Sequence, residues 1–275
     1  MKTSIGCNTL YPAGRLTSEG QFTLPHQLRA LEVIAEAGFD AVEFSHAGHL
    51  TPEELQQVAA HARALGLVPW SVHAWRPLAA TAADVETTLA DYRVAAQTAH
   101  LLGVRVVVVH SGGTMAPAGL SERRSANSEC LRALAEWVGP KVVVAVENMS
   151  ARADWEFIIE LVDACPLPNV GLNLDTGHAH LGDLGVVNAI RMAGGRLRTT
   201  HLQDNLGQQD NHLPPGQGTI RWEEALAAFR EVGYTGCYLV ELSDCPIGRE
   251  PDTVGDTRRA AENLRALLAQ AGIDR

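Results

Sequence analysis

Residues 104–110 have the sequence VRVVVVH, an apolar run that stops on a histidine, and runs of this kind decide the fold. Five further β-type segments also stop on a side chain that can bind a metal ion. The six closing residues are His73 (SVH), His110 (VVVVH), Glu147 (VVVAVE), Asp175 (GLNLD), His201 (RTTH) and Glu241 (YLVE). One ligand at each strand end is what a metal site at the carboxyl mouth of an eight-stranded α/β barrel requires.

Around these runs, short β-type segments alternate with helical segments along the chain. The predicted strands are 4–8, 41–44, 68–73, 104–110, 142–147, 170–175, 197–202 and 238–242. The predicted helices are 24–37, 52–65, 83–102, 123–138, 154–164, 186–192, 222–232 and 253–271, and several end at a glycine that suits a left-handed cap. Because the strands are nearly all apolar and no linker divides the chain, we predict one (β/α)8 TIM barrel that spans residues 1–275.

The composition limits the classes of partner. The chain has 32 acidic and 22 basic residues, a net charge of −10, which disfavours a broad surface for nucleic acid or for an anionic membrane. Its five cysteines are scattered without CxxC spacing, as in reduced cytoplasmic proteins. The first residues, MKTSIGCNTL, lack a long apolar segment, so we expect a cytoplasmic chain that is not exported.

Glu147, Asp175, His201 and Glu241 form the strongest candidate metal site. Three carboxylates and one imidazole suit a hard or borderline divalent ion that keeps positions open for substrate oxygens. The alternative is that each polar residue only ends a strand at the rim. That alternative accounts poorly for four such residues at consecutive strand ends.

Further candidates lie in the loops. His178 follows Asp175 by three residues, either as a second ligand or substrate contact, or as a histidine that only begins a helix. Asp210 and His212 lie in the longest irregular stretch, Gln203–Gly218. They form either a ligand pair or part of a solvated loop, and the following PPGQGTIRW favours a restrained loop over the mouth.

Three residues at the third and fourth strand ends have two interpretations each. His73 and His110 are either additional ligands or buried core histidines. Trp75, just beyond His73, is either a wall of the substrate pocket or an ordinary packing residue.

Several motifs together resemble the xylose-isomerase-like TIM-barrel superfamily, which includes sugar isomerases and epimerases and the endonuclease IV family. The motifs are DAVEFS, VVVHSGG, AVENMS, NLDTGHAH, THLQDN, DNHLPPGQGTIRW and YLVELS. Each is weak alone, and their order and spacing are specific. The resemblance extends from about the second predicted strand to the eighth.

In the epimerase branch, the resemblance implies one Mn²⁺, Mg²⁺, Co²⁺ or Zn²⁺ held by Glu147, Asp175, His201 and Glu241. Glu147 and Glu241 would also serve as acid and base in proton transfer beside a carbonyl, through an enediolate-type intermediate. His178 resembles a histidine that contacts a substrate oxygen. Enzymes similar to tagatose epimerase carry an arginine after strand seven, and its absence here leaves the substrate class open.

In the endonuclease IV branch, the resemblance implies three zinc ions held by nine residues. The three sets would be His73, His110 and Glu147; Glu147, Asp175, His201 and Glu241; and His178, Asp210 and His212.

Charge distinguishes the two branches. One divalent ion with Glu147, Asp175 and Glu241 leaves a formal −1, which suits a neutral polyol. Three zinc ions, with Asp210 added to these carboxylates, leave +2, which suits a phosphodiester. The basic residues in the loops after the strands are few: Arg15, Arg76, Arg152 and Arg249, beside Asp183, Asp204 and Asp244.

These observations favour a metal-dependent isomerase or epimerase of a small sugar, sugar acid or cyclitol over a trinuclear-zinc hydrolase of abasic-site DNA. A non-catalytic metal-binding barrel is disfavoured by the Glu147 and Glu241 pair. The expected partner is a small sugar-like molecule, with neither a membrane nor a nucleic acid. The sequence leaves open which sugar is bound, whether it is phosphorylated, and whether the barrel forms a homo-oligomer through its outer helices.

Overall fold

The computed structural model describes residues 3–13, 23–45, 47–74, 76–113, 119–243 and 249–273. It contains eight parallel strands. They are β1 (Ile5–Asn8), β2 (Ala41–Ser45), β3 (Val68–His73), β4 (Val106–His110), β5 (Val143–Glu147), β6 (Val170–Asp175), β7 (Leu197–His201) and β8 (Tyr238–Val240). They are hydrogen-bonded in the order β7-β6-β5-β4-β3-β2-β1-β8.

Backbone hydrogen bonds join the two ends of this sheet. Leu202 N–H donates to the Leu239 carbonyl at 2.7 Å, and Glu241 N–H donates to the Leu202 carbonyl at 3.1 Å. The sheet therefore closes into the predicted barrel.

Helices follow the strands and cover the outside of the barrel. They are α1 (Leu24–Glu36), α2 (Pro52–Ala64), α3 (Val85–Leu102), α4 (Leu120–Val138), α5 (Arg152–Ala164), α6 (Thr176–Leu181), α7 (Val186–Ala193), α8 (Trp222–Glu231) and α9 (Thr253–Gln270). Gly38, Gly66, Gly103 and Gly233 have the expected positive φ angles, between 72° and 87°. The predicted (β/α)8 fold is thus confirmed, with the one addition of α6 between β6 and α7.

The short helix α6 begins on a candidate ligand. Asp175 ends β6 and caps α6, because its Oδ1 accepts a hydrogen bond from His178 N–H at 2.6 Å. Helix α6 has only six residues, TGHAHL, too few to show a helical period in the sequence. The cap places His178 on the first turn, directly above the end of the strand.

The register of the strands brings their carboxyl ends to one level. Ser45 pairs with His73, His110 pairs with Glu147, and Asp175 pairs with His201. Because all strands are parallel, these residues lie at the same end of the barrel, where active sites of this architecture form.

Below this level, side chains fill the barrel interior. Val106, Val108 and Ala145 form a small apolar cluster with Trp70. The Trp70 indole N–H donates to the Thr199 hydroxyl at 3.0 Å across the barrel. A larger apolar core lies between the sheet and the helices. The packed side chains of the interior lie directly below the carboxyl-end residues and support them.

Among the described residues, Cys7, Cys130, Cys165 and Cys237 form no disulfide with one another, and Cys245 lies outside the described residues. Among the helices that the structure describes, none has the length and apolar content that a bilayer crossing requires.

Candidate metal centre

Glu147, Asp175, His201 and Glu241 meet at the carboxyl mouth, as the strand-end pattern predicts. One potential ligand atom from each lies within 4.8 Å of those of the other three. His201 Nδ1 is 3.0 Å from Glu147 Oε2 and 3.3 Å from Glu241 Oε2. Glu147, Asp175 and His201 are at most 1% exposed, and Glu241 is 12% exposed. These four side chains therefore form one compact, buried cluster.

Two buried atoms of this cluster have no hydrogen-bond partner among the residues that the structure describes. They are Asp175 Oδ2 and His201 Nδ1. Asp175 Oδ1, in contrast, caps α6. A buried polar atom without a partner is unfavourable unless another group completes it. A divalent cation satisfies both atoms, so the four residues fit a metal ion in chemistry as well as in spacing.

The electrostatics of the cluster also favour a cation. Burial raises the pKa of Asp175 to about 7, and the neighbouring carboxylates Glu147 and Glu241 contribute to this increase, against the opposing effect of His178. Burial lowers the pKa of His201, but the same two glutamates outweigh this effect and hold it well above its usual value. Three carboxylates in one buried space are mutually repulsive, and a positive charge among them relieves that repulsion.

Both candidate acid–base residues are held as carboxylates. Burial raises the pKa of Glu147, but the attraction of His201 and His110 holds it well below its usual value. Burial acts in the same direction on Glu241, and His201 together with His212 lowers its pKa well below the usual value.

His73, on β3, and His110, on β4, lie against Glu147 on β5. Their Nε2 atoms are 3.5 and 3.9 Å from Glu147 Oε2, and their ring centroids are 5.0 Å apart. The potential ligand atoms of these three residues also lie within 4.8 Å of one another. Both imidazoles therefore face the mouth and are not isolated core histidines.

His178, Asp210 and His212 complete the other side of the mouth. His178 Nε2 is 3.2 Å from Asp210 Oδ2, and His212 Nδ1 is 3.7 Å from the same oxygen. His212 Nε2 is 3.6 Å from Glu241 Oε2. Burial lowers the pKa of His212, but Glu241 and Asp210 outweigh this effect and raise it to about 9. The side chains of Asp210 and His212 therefore approach the metal cluster, although residues 206–210 of their loop are exposed.

The loop 203–218 is held over the mouth by Asp204. This buried carboxylate accepts hydrogen bonds from Asn205 N–H (2.9 Å), Ile220 N–H (3.1 Å), Gly216 N–H (3.0 Å) and the Trp222 indole N–H (2.7 Å). Asp204 lies in the loop after β7, as predicted, and its side chain turns into its own loop. The Trp222 indole, which donates to Asp204, helps to hold the loop in the same way.

The glycines of the PPGQG segment fit the same anchor. Gly216 has a φ of +83°, in the left-handed region. A Cβ on Gly218 would lie 2.2 Å from Asp204 Oδ1 and 2.4 Å from the Asn205 carbonyl oxygen. Only glycine at position 218 lets the chain approach Asp204 this closely.

Three residues near the cluster were not predicted. Glu43 is fully buried on β2, and its two carboxylate oxygens lie 3.0 and 3.1 Å from His201 Nε2. Asn173 donates a hydrogen bond to Glu147 Oε2 at 3.0 Å. The Gln203 amide donates to Asp175 Oδ1 at 3.3 Å and to Asp210 Oδ1 at 2.5 Å. The available signal was one carboxylate in the otherwise apolar AVEFS run and one amide in GLNLD.

The basic residues predicted in the loops are engaged elsewhere. Arg76 pairs with Asp91, Arg249 pairs with Asp256, and Arg152 lies 3.9 Å from Glu156. Arg15, Asp244 and the predicted pocket residue Trp75 lie outside the described residues. Within the described ranges, none of these three arginines extends an unpaired charge toward the metal cluster.

The sequence profile of the xylose isomerase-like TIM barrel family matches residues 31–270, so this chain belongs to that family. D-psicose 3-epimerase of Enterocloster bolteae is 32% identical over 120 residues, which are 44% of this chain and 37% of that enzyme. Inosose isomerase of Bacillus velezensis is 25% identical over 232 residues, 77% of this chain and 81% of that enzyme. The match to the first relative thus spans well under two thirds of its length.

Solved structures show the same fold. The structure of an L-ribulose 3-epimerase has a TM-score of 0.78 to this chain at 19% identity, and the match covers 98% of this chain and 96% of that one.

Proposed function

We propose that this chain is a divalent-metal-dependent epimerase or isomerase of a small sugar, sugar acid or cyclitol. It would move a proton beside a carbonyl, through an enediolate-type intermediate. The observation that carries this proposal is the buried pair Glu147 and Glu241 in one cluster with Asp175 and His201. The names of the relatives, D-psicose 3-epimerase and inosose isomerase, support a sugar or cyclitol substrate.

Glu147, Asp175, His201 and Glu241 would hold the ion, and their three carboxylates and one imidazole suit Mn²⁺, Mg²⁺, Co²⁺ or Zn²⁺. When bound, such an ion polarises a carbonyl oxygen and thereby acidifies the neighbouring C–H bond. Asn173 would orient Glu147, because its amide donates to Glu147 Oε2.

The two glutamates would exchange the proton with the substrate. Both have a pKa well below the usual value, so both are carboxylates at neutral pH and either can accept a proton. Once one has taken the proton, the other face of the substrate must be protonated by the other side chain for the configuration to invert. When Glu147 is the base, His212, 3.6 Å from Glu241, would supply to Glu241 the proton that it delivers. Glu147 would then release its proton to solvent, and His212 would take one up, before the next turnover.

The remaining mouth residues would bind substrate hydroxyls. Both ring nitrogens of His178 have protein partners, the Asn148 carbonyl oxygen at 2.9 Å from Nδ1 and Asp210 Oδ2 at 3.2 Å from Nε2, so a substrate oxygen would compete with Asp210 for Nε2. His73 and His110 present imidazoles beside Glu147, and the His110 ring lies 6.3 Å from that of His178. A mouth built of imidazoles and carboxylates offers both donors and acceptors, which suits a polyol.

A second candidate is a trinuclear-zinc hydrolase of abasic-site DNA. It is favoured by the close grouping of His73, His110 and Glu147, whose ligand atoms lie within 4.8 Å of one another. Buried Glu43 adds one negative charge to either candidate, which leaves a formal −2 with one divalent ion and +1 with three zinc ions, so the difference between the candidates is unchanged. The arginine pairs described above leave little to hold a duplex, and the epimerase is therefore preferred.

Metal content and turnover together test the proposal. Elemental mass spectrometry of protein purified without chelator should give about one Mn, Co, Mg or Zn per chain, and ketoses and inososes should exchange a C–H proton with deuterated water. E147Q and E241Q should each lose this exchange while they keep the far-UV circular dichroism of the wild type. Close to three zinc ions per chain, with cleavage of an abasic-site duplex, would establish the hydrolase instead.

A further inference from the structure

Glu43 is a buried carboxylate whose role the proposed reaction does not explain. It lies on β2 with no exposed surface, between Val42 and Phe44, which pack into the core outside the barrel. Because successive side chains of a strand point to opposite faces, Glu43 points into the barrel. Within the described residues, its recorded ion pair is with His201 and not with an arginine or a lysine. A buried carboxylate is unfavourable unless its contacts compensate the loss of water.

Two contacts hold Glu43 in place. The Ser71 hydroxyl, on the neighbouring strand β3, donates to Glu43 Oε2 at 2.7 Å. On the other side, His201 Nε2 lies 3.1 Å from the same oxygen and 3.0 Å from Oε1. The side chain thus spans from β3 to β7 across the barrel.

His201 consequently has a different partner on each ring nitrogen. Nε2 faces Glu43, whereas Nδ1 faces Glu147 at 3.0 Å and Glu241 at 3.3 Å. In the described part of the chain, Nδ1 has no hydrogen-bond partner. A carboxylate accepts hydrogen bonds and does not donate them, so the hydrogen of a neutral His201 belongs on Nε2. The lone pair of Nδ1 is then directed into the ligand cluster.

We propose that Glu43 is a positioning residue for the metal centre, which fixes the ring orientation and the tautomer of His201 so that Nδ1 is available as a ligand. This inference rests on the metal site of the proposed function. Ser71 supports it by holding Glu43 Oε2. A carboxylate behind a ligand histidine also makes the imidazole a stronger electron donor, and loss of such a partner typically weakens metal binding about 10–100-fold.

The test compares metal affinity in the full chain after removal of metal by chelator. Mn²⁺ and Co²⁺ are returned in competition with a chelator of known affinity, and the visible spectrum of the Co²⁺ form reports its coordination. We expect E43Q, which keeps the size of the side chain, to bind both ions roughly 10–100-fold more weakly and to shift the Co²⁺ spectrum. S71A should show a smaller loss in the same direction.

T199V is the matched control. It removes a hydrogen bond of similar depth inside the same barrel, from the Trp70 indole, and within the described residues the Thr199 hydroxyl is not hydrogen-bonded to any of the four ligands. It should lower stability and leave both the affinity and the Co²⁺ spectrum unchanged. A purely structural role for Glu43 would make E43Q behave like T199V.

The outcomes separate the two proposals. Wild-type affinity and spectrum in both E43Q and S71A would overturn the role of Glu43 and leave the metal-dependent function standing. A wild-type chain that binds neither ion would overturn the proposed function, and this inference with it.

Discussion

Replacing Asp204 with asparagine should destabilise the chain through the loop over the mouth. Asp204 is buried and accepts four hydrogen bonds, two on each carboxylate oxygen. An asparagine offers a carbonyl oxygen for one pair and an NH₂ group for the other. If the asparagine carbonyl oxygen keeps the hydrogen bonds from the Asn205 and Ile220 N–H groups, the NH₂ group faces the Gly216 N–H and the Trp222 indole N–H. Both sides of that contact are then donors, and neither N–H has an acceptor.

The size of the effect follows from these contacts. The indole N–H of Trp222 is buried, and leaving it without an acceptor costs about 1–3 kcal/mol. Gly216 is exposed, so water can accept the hydrogen bond that its N–H loses, and this loss costs only about 1 kcal/mol of stability. The two retained bonds lose the charge that makes such bonds roughly twice as strong as neutral ones. An amide is easier to bury than a carboxylate, which offsets part of the loss, and we expect a net destabilisation of about 2–4 kcal/mol.

Urea unfolding followed by circular dichroism measures this difference, and limited proteolysis should show new cleavage within residues 203–218. D183N is the control, since Asp183 is exposed and accepts one hydrogen bond, from Arg152 N–H at 2.8 Å. The control should lose less than about 1 kcal/mol. Equal stability and equal protease resistance of D204N and D183N would refute the assignment of Asp204 as the anchor of the loop.

Two further variants test other parts of the structure. G177A should be less stable in thermal unfolding than G195A, because a Cβ at Gly177 would lie 2.0 Å from the Gln203 amide, whereas one at Gly195 meets nothing within 4 Å. Equal melting temperatures would contradict this. D256N should lose about 1–3 kcal/mol at pH 7, because hydrogen bonds from two arginines and from Tyr11 (2.6 Å) outweigh burial and hold the pKa of Asp256 below its usual value. That stability is present above the unfolded-state pKa and is lost as pH falls through the folded-state pKa. Urea unfolding should therefore give a smaller stability difference between the wild type and D256N at pH 3 than at pH 7, and an equal difference at both would exclude the carboxylate as its source.

The barrel and the ligand cluster were predictable because their signals lie in the order of residues along the strands. Each strand of VVVAVE or GLNLD type ends on its ligand, and parallel strands bring such ends together whatever the details of packing. The helix α6 was missed because a six-residue helix is fixed by its cap on Asp175 and not by its own periodicity.

Glu43 and Asp204 were harder to interpret for a different reason. The function of each depends on which neighbour its side chain meets across the barrel or across a loop. Glu43 is within AVEFS, and nothing in that run indicates that His201 lies opposite it. Asp204 follows β7, and its position alone does not tell whether the carboxylate turns to the mouth or to residues 216–222.

The arrangement of ligands around the ring has a consequence for folding. Glu147, Asp175, His201 and Glu241 come from β5, β6, β7 and the residue after β8, so the chain segment through β4 contains none of the four. Glu241 reaches its position only when β8 has paired with β1 and the backbone of Leu202 has formed its hydrogen bonds to Leu239 and Glu241. Bringing these distant segments together requires closure of long loops, which is slow and entropically unfavourable. An ion held by all four residues would therefore bind only after the last strand is in place. It would then stabilise the closed barrel relative to the open one.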